Sequence, residues 1–96
     1  MGEFGRTPVI NGQTGRDHWS DAFAAFAAGG GIGRGRAIGK TDEKGEKVAE
    51  RPITIADLFA TLLACSGIDG EKQFRTPEGR PIRLVDAATP VKELLA

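Results

Sequence analysis

The chain has no tyrosine and only one tryptophan, one histidine, one cysteine and one methionine in 96 residues. A single cysteine, Cys65, excludes an internal disulfide and a cysteine-based metal centre. A single histidine, His18, excludes a metal centre made of several imidazoles. Basic and acidic residues balance at 13 each, so no charge excess of either sign gives a reason to expect nucleic acid or an anionic membrane as partner. No apolar run approaches the roughly 20 residues of a membrane span, and no charged, apolar, small-residue signal segment opens the sequence. Nor is there an internal repeat. Large apolar anchors are limited to five phenylalanines and the tryptophan, with some Leu, Ile and Val. At 40% apolar residues, the supply is thin for a self-contained core in what is at most one modest domain.

Glycine, in contrast, is plentiful at 14 residues, about twice its average share. Such a chain is rich in loops and close backbone approaches. The densest chemistry lies in Gly15-Arg16-Asp17-His18-Trp19, which sets a guanidinium, a carboxylate, an imidazole and an indole side by side. Gly2-Glu3-Phe4-Gly5-Arg6-Thr7-Pro8 precedes it and Gly29-Gly30-Gly31-Ile32-Gly33 follows. Residues 2–16 read as loop, with a turn at Asn11-Gly12. Residues 20–28 are ambiguous: Ser20 and the alanines suit a helix, while the continuous apolar run from Ala22 to Ala28 suits a buried strand. Arg36 to Gly39 reads as a short strand and Asp42 to Gly45 as a hairpin tip, with Arg34 and Arg36 as solvated loop charges.

Residues 54–66 carry the clearest helix signal. Thr54 and Asp57 form a capping-box pair, and Asp57 also complements the positive end of the helix dipole. Ile55, Leu58, Phe59, Leu62 and Leu63 recur at i, i+3, i+4, i+7 and i+8, one apolar stripe expected to pack on a sheet. Gly67 is placed to end the helix in the left-handed conformation, with Ile68 folding back. Beyond it, 69–80 is polar and turn-rich, Arg80 to Val85 is a short edge strand, and Pro90 to Ala96 forms one or two closing helical turns.

The glycine run does not carry a nucleotide fingerprint. The i, i+2, i+5 spacing fails at Arg34 and Arg36, and the phosphate-loop glycine required before Gly39-Lys40-Thr41 is Arg34. His18 can ligate a metal or move a proton, with Asp17 as a second ligand or as the group that orients the ring. A structural or exposed role is the alternative. Arg16 can hold an anionic oxygen, and Arg6 can fork onto one. Glu3 can bind a hard cation; a surface ion pair with Arg6 is the alternative. Cys65 reads as a small packing residue.

Taken together, Gly2 to Pro8, Gly15 to Trp19, Gly29 to Ile32, Arg51 to Leu63 with Gly67-Ile68, and Gly79 to Ile82 resemble the C-terminal part of the sulfatase-like family called domain of unknown function 1501. That family resembles a branch of the alkaline phosphatase and sulfatase superfamily. The resemblance implies an α/β fold, with a mixed sheet flanked by helices, of which residues 1–96 are the C-terminal portion. It implies a divalent-metal-dependent hydrolase of small anionic phosphate or sulfate esters, inactive in this portion alone because the nucleophile and other ligands lie upstream. Glu3, Asp17 and His18 are then the candidate metal ligands, and His18, Arg6 and Arg16 the candidate catalytic residues. Phe4 departs from the superfamily's ligand pair, in which that place holds a metal-binding side chain. That departure leaves open a non-catalytic binding or structural module on the same fold. The resemblance also turns the reading of Ala22 to Ala28 toward a buried strand.

Overall fold

A computed structural model describes residues 1–96. The chain combines helix and strand, as expected, but its strands form small antiparallel pairs and no larger sheet. These are β1 (Gly5–Arg6) with β2 (His18–Trp19), β3 (Lys40–Thr41) with β4 (Val48–Glu50), and β5 (Gln73–Arg75) with β6 (Pro81–Arg83). One helix, α1 (Ile55–Cys65), and a 3-10 turn at Lys92–Leu94 complete the elements. The chain divides into two compact units, one of residues 1–27 and 37–52 and the other of residues 28–36 and 53–96.

The first unit holds β1 to β4. Its second hairpin turns at Asp42 to Gly45, as the sequence predicts. The Gly45 amide donates to the Asp42 carbonyl at 3.1 Å, and Gly45 takes a φ of 71°, where a side chain would be strained. The strand before it lies at Lys40–Thr41 rather than Arg36 to Gly39, because Gly39 has a φ of 86° and cannot extend the ladder. Residues 22–28 form neither the helix nor the buried strand expected of them. Phe26 is 86% exposed and no ladder partner pairs with the run, so its apolar composition had nothing to bury against.

In the second unit α1 forms where expected, and its ends show why. The Thr54 hydroxyl accepts from the Asp57 amide at 3.0 Å, and the Asp57 carboxylate accepts from the Thr54 amide at 3.1 Å. At the other end the Gly67 amide donates to the Ala64 carbonyl (3.0 Å) and the Ile68 amide to the Leu63 carbonyl (2.9 Å), with Gly67 at a φ of 75°. Both bonds of a Schellman cap are therefore made.

What α1 buries is not what the sequence predicts. Ile55, Phe59 and Leu62 of the apolar stripe are exposed. With Leu63 and Leu84, Ile55 and Phe59 line an open apolar groove of about 560 Å³. The buried residues are Ala60, Thr61 and Val91. At about 3.6 residues per turn, Asp57, Ala60 and Thr61 lie on the side of α1 opposite the stripe. There the Thr61 hydroxyl donates to the Asp57 carbonyl (2.7 Å) and accepts from the Val91 amide (2.8 Å), while the Asp57 carboxylate accepts from the Thr89 amide (3.1 Å). The small side chains at 60 and 61 let residues 89–91 come close enough to be held by side-chain oxygens.

Residues 31–36 pair with the chain's last residues. Gly33 donates to the Leu94 carbonyl (2.7 Å), Ala96 donates to the Gly31 carbonyl (2.9 Å), and the Arg36 guanidinium donates to the Glu93 and Leu95 carbonyls (2.8 and 2.9 Å). Arg36 stays exposed in a loop, as read, and in addition clamps the final residues. Gly31 also lies over Cys65, so close that a Cβ at 31 would come within 3.2 Å of the Cys65 Cβ. Cys65 is half-buried there, in the small packing role expected of it. The polar stretch 69–80 contains β5, missed in the sequence because Gln73-Phe74-Arg75 offers only one apolar residue. Its pairing to β6 is extended by Leu84 donating to the Lys72 carbonyl and Val85 to the Gly70 carbonyl, each at 3.0 Å.

Candidate active site

Of the residues singled out in the sequence as chemical, Arg6, Arg16, Asp17 and His18 lie on one hairpin, β1–β2, or on the turn that joins its strands, while Glu3 precedes it. The turn is built by Asn11. Its carboxamide oxygen accepts from the Gln13 amide (2.9 Å) and the Gly15 amide (3.0 Å), and its main-chain amide donates to the Gly15 carbonyl (2.8 Å). This is an asparagine side chain standing in for a backbone turn. Its carboxamide nitrogen then donates to the Asp17 carboxylate at 3.0 Å, so the turn and the acid are fixed together.

Two arginines stitch the strands. Arg16 donates to the Thr7 and Pro8 carbonyls (2.9 and 2.8 Å), and Arg6 donates to the Arg16 carbonyl (3.2 Å). The Thr7 amide donates to the Asp17 carbonyl (3.0 Å), and the Thr7 hydroxyl accepts from the Asp17 amide (3.1 Å). The short ladder pairs Gly5 with Trp19 and Arg6 with His18. Gly5 has a spatial reason to be glycine: a Cβ there would run into the Ala22 carbonyl oxygen and come within 3.0 Å of the Phe23 Cβ. The Trp19 indole donates to the Glu46 carbonyl at 2.7 Å, tying β2 to the tip of the β3–β4 hairpin.

His18 stacks on Phe4, with ring centroids 3.7 Å apart and planes inclined by 24°. The Arg6 guanidinium carbon lies 5.1 Å from the centre of the same Phe4 ring, within cation–π range. His18 makes no hydrogen bond to another residue, so both ring nitrogens stay open. Glu3 is exposed and makes neither a hydrogen bond nor an ion pair; the alternative pairing of Glu3 with Arg6 is not formed.

The hairpin thus brings Arg6 beside His18 across the ladder and places Arg16 and Asp17 at the end of the turn, just before β2. It does not gather Glu3, Asp17 and His18 into a ligand cluster: nowhere in the chain do three or more His, Cys, Asp or Glu side chains converge to hold a metal. Three residues matter more here than the sequence suggests. Asn11 had a signal in its Asn-Gly turn. Thr7 had none. Phe4, read as a loss of metal-binding function, proves to be the partner of the histidine ring.

Residues 1–95 match a family described as a protein of unknown function, DUF1501. No curated protein and no solved structure matches the chain.

Proposed function

The chain belongs to the DUF1501 family, and from that premise we propose that it supplies part of the active site of a metal-dependent phosphate- or sulfate-ester hydrolase of the alkaline phosphatase and sulfatase type. The observation that carries the proposal is the placing of Arg6, Arg16, Asp17 and His18 on one hairpin, with the open nitrogens of His18 beside the Arg6 strand position. Cations and an imidazole at one edge suit an ester that carries negative charge and a leaving oxygen that needs a proton. The uncovered apolar stripe of α1 supports the companion reading that residues 1–96 are the C-terminal portion of a larger α/β domain with a mixed sheet.

In this reading Arg6 and Arg16 bind the ester's charged oxygens. Each uses one terminal nitrogen on main-chain carbonyls, and a guanidinium has five N–H donors in all, so donors remain for a ligand. His18 protonates the leaving oxygen or ligates metal. Glu3 and Asp17 offer carboxylate oxygens to a divalent cation, a donor set that with one imidazole suits a hard or borderline ion. These three residues do not form a complete site in this chain, so further ligands and the nucleophile come from elsewhere in the intact protein. A bound divalent metal supplies charge stabilisation and activates a nucleophile.

The test is hydrolysis of nitrophenyl phosphate and nitrophenyl sulfate by an intact family member containing this stretch, with and without divalent metal. His18→Ala is expected to lower kcat/KM by about 10²–10⁴-fold. Undiminished activity in that variant sinks the reading.

A second reading has its own support. Both guanidinia and the Phe4–His18 stack hold the hairpin together, as they would in a non-catalytic binding or structural module on the same fold. That reading expects no ester hydrolysis by the intact wild type with any divalent metal, and a destabilised hairpin in Arg16→Ala.

A further inference from the structure

We propose that Phe4 is a positioning residue that sets the plane of the His18 imidazole. The inference rests on the reading of His18 as a functional group, but not on the reaction it serves. A working histidine is ordinarily held by a hydrogen bond from one ring nitrogen to a carboxylate or a carbonyl, which fixes the tautomer and the ring orientation and leaves one nitrogen for chemistry. His18 has no such partner within the chain. Asp17, the adjacent carboxylate, instead accepts from Asn11 at 3.0 Å.

What His18 has is a ring. The 3.7 Å centroid separation and 24° inclination are those of stacked aromatics, and this contact restricts rotation of the imidazole about its side-chain bonds. Phe4 is itself half-buried, directly precedes β1, and carries the Arg6 guanidinium over its ring at 5.1 Å. The ladder register that sets Arg6 opposite His18 brings the three groups together. The arrangement has a chemical consequence: a ring held through its face keeps both nitrogens available, one toward a ligand and the other toward solvent or a second group. The aromatic side chain at position 4 thus takes over the orienting task without occupying a nitrogen.

The chain reports on this directly, because it has one histidine and one tryptophan. Nuclear magnetic resonance of His18 reads the rotamer of its side chain. The indole N–H of Trp19, bonded to the Glu46 carbonyl, reads whether the hairpin is intact. Phe4→Tyr keeps a ring of the same shape, whereas Phe4→Met keeps apolar bulk without one. The expected result is that His18 keeps one side-chain rotamer, read from its couplings and its nuclear Overhauser contacts to Arg6, in the wild type and Phe4→Tyr, and averages over rotamers in Phe4→Met while the Trp19 signal is unchanged. His18 couplings and contacts that are alike in the Tyr and Met variants overturn the proposal. Hydrolysis does not enter this measurement. Absence of esterase activity in the intact protein, with the Tyr and Met variants of this chain still separating, refutes the hydrolase reading and leaves the positioning role standing.

Discussion

Thr61→Val isolates one hydroxyl. Thr61 is fully buried, and its oxygen is the only partner found for the Val91 amide, itself on a fully buried residue. The same hydroxyl donates to the Asp57 carbonyl, which also accepts along the helix. Valine has nearly the same shape, so the change opens no cavity and leaves the helix stripe untouched. What it removes is the acceptor for a buried N–H. Leaving such a donor unpaired costs about 1–3 kcal/mol, and the lost bond to Asp57 adds little because that carbonyl retains another partner. With a urea dependence of about 2 kcal/mol per molar for a chain of this size, a loss of 2 kcal/mol lowers the unfolding midpoint by about 1 M. The assay is urea unfolding followed by far-ultraviolet circular dichroism, paired with hydrogen exchange at the Val91 amide. Val91 exchange is expected to accelerate in the variant while amides in β5–β6 are unchanged. An unshifted midpoint together with unchanged Val91 exchange refutes the claim that the hydroxyl holds the 89–91 segment on α1.

Other outcomes follow from single contacts. Thr54→Ala removes the oxygen that accepts from the Asp57 amide and is expected to cost about 1 kcal/mol in the same urea assay, with Thr54→Ser largely neutral. Gly67→Ala forces a side chain into a φ of 75° and is expected to cost about 1–2 kcal/mol with no steric clash, since nothing lies within 4 Å of the added carbon. Gly5→Ala acts oppositely, through space rather than conformation, and is expected to displace the Ala22–Phe23 backbone and shift Trp19 fluorescence. An unchanged Trp19 spectrum in that variant would count against the close approach.

Local signals in the sequence were reliable where their chemistry is completed within a few residues. The capping box at Thr54 and Asp57, the Schellman end at Gly67 and Ile68, and the hairpin tip at Asp42 to Gly45 each formed as read. The Asn11-Gly12 turn did too, and with it the grouping of Arg6, Arg16, Asp17 and His18 on one hairpin followed from the short span between the two motifs. The apolar run of residues 22–28 had no such closure: a strand needs a ladder partner, and composition cannot supply one. The α1 stripe failed in a related way, since periodicity names the apolar face but not the surface that meets it.

The sequence by itself determined the family and the helix with its ends. These depend on residue type and on contacts within a turn or two. Only the tertiary structure decided that α1 buries its small-residue side against Val91, that Arg36 clamps the final residues, and that Phe4 stacks on His18. These contacts join positions 14 to 59 residues apart. At that range the partner is set by how the backbone closes on itself, which no local pattern of residue types encodes.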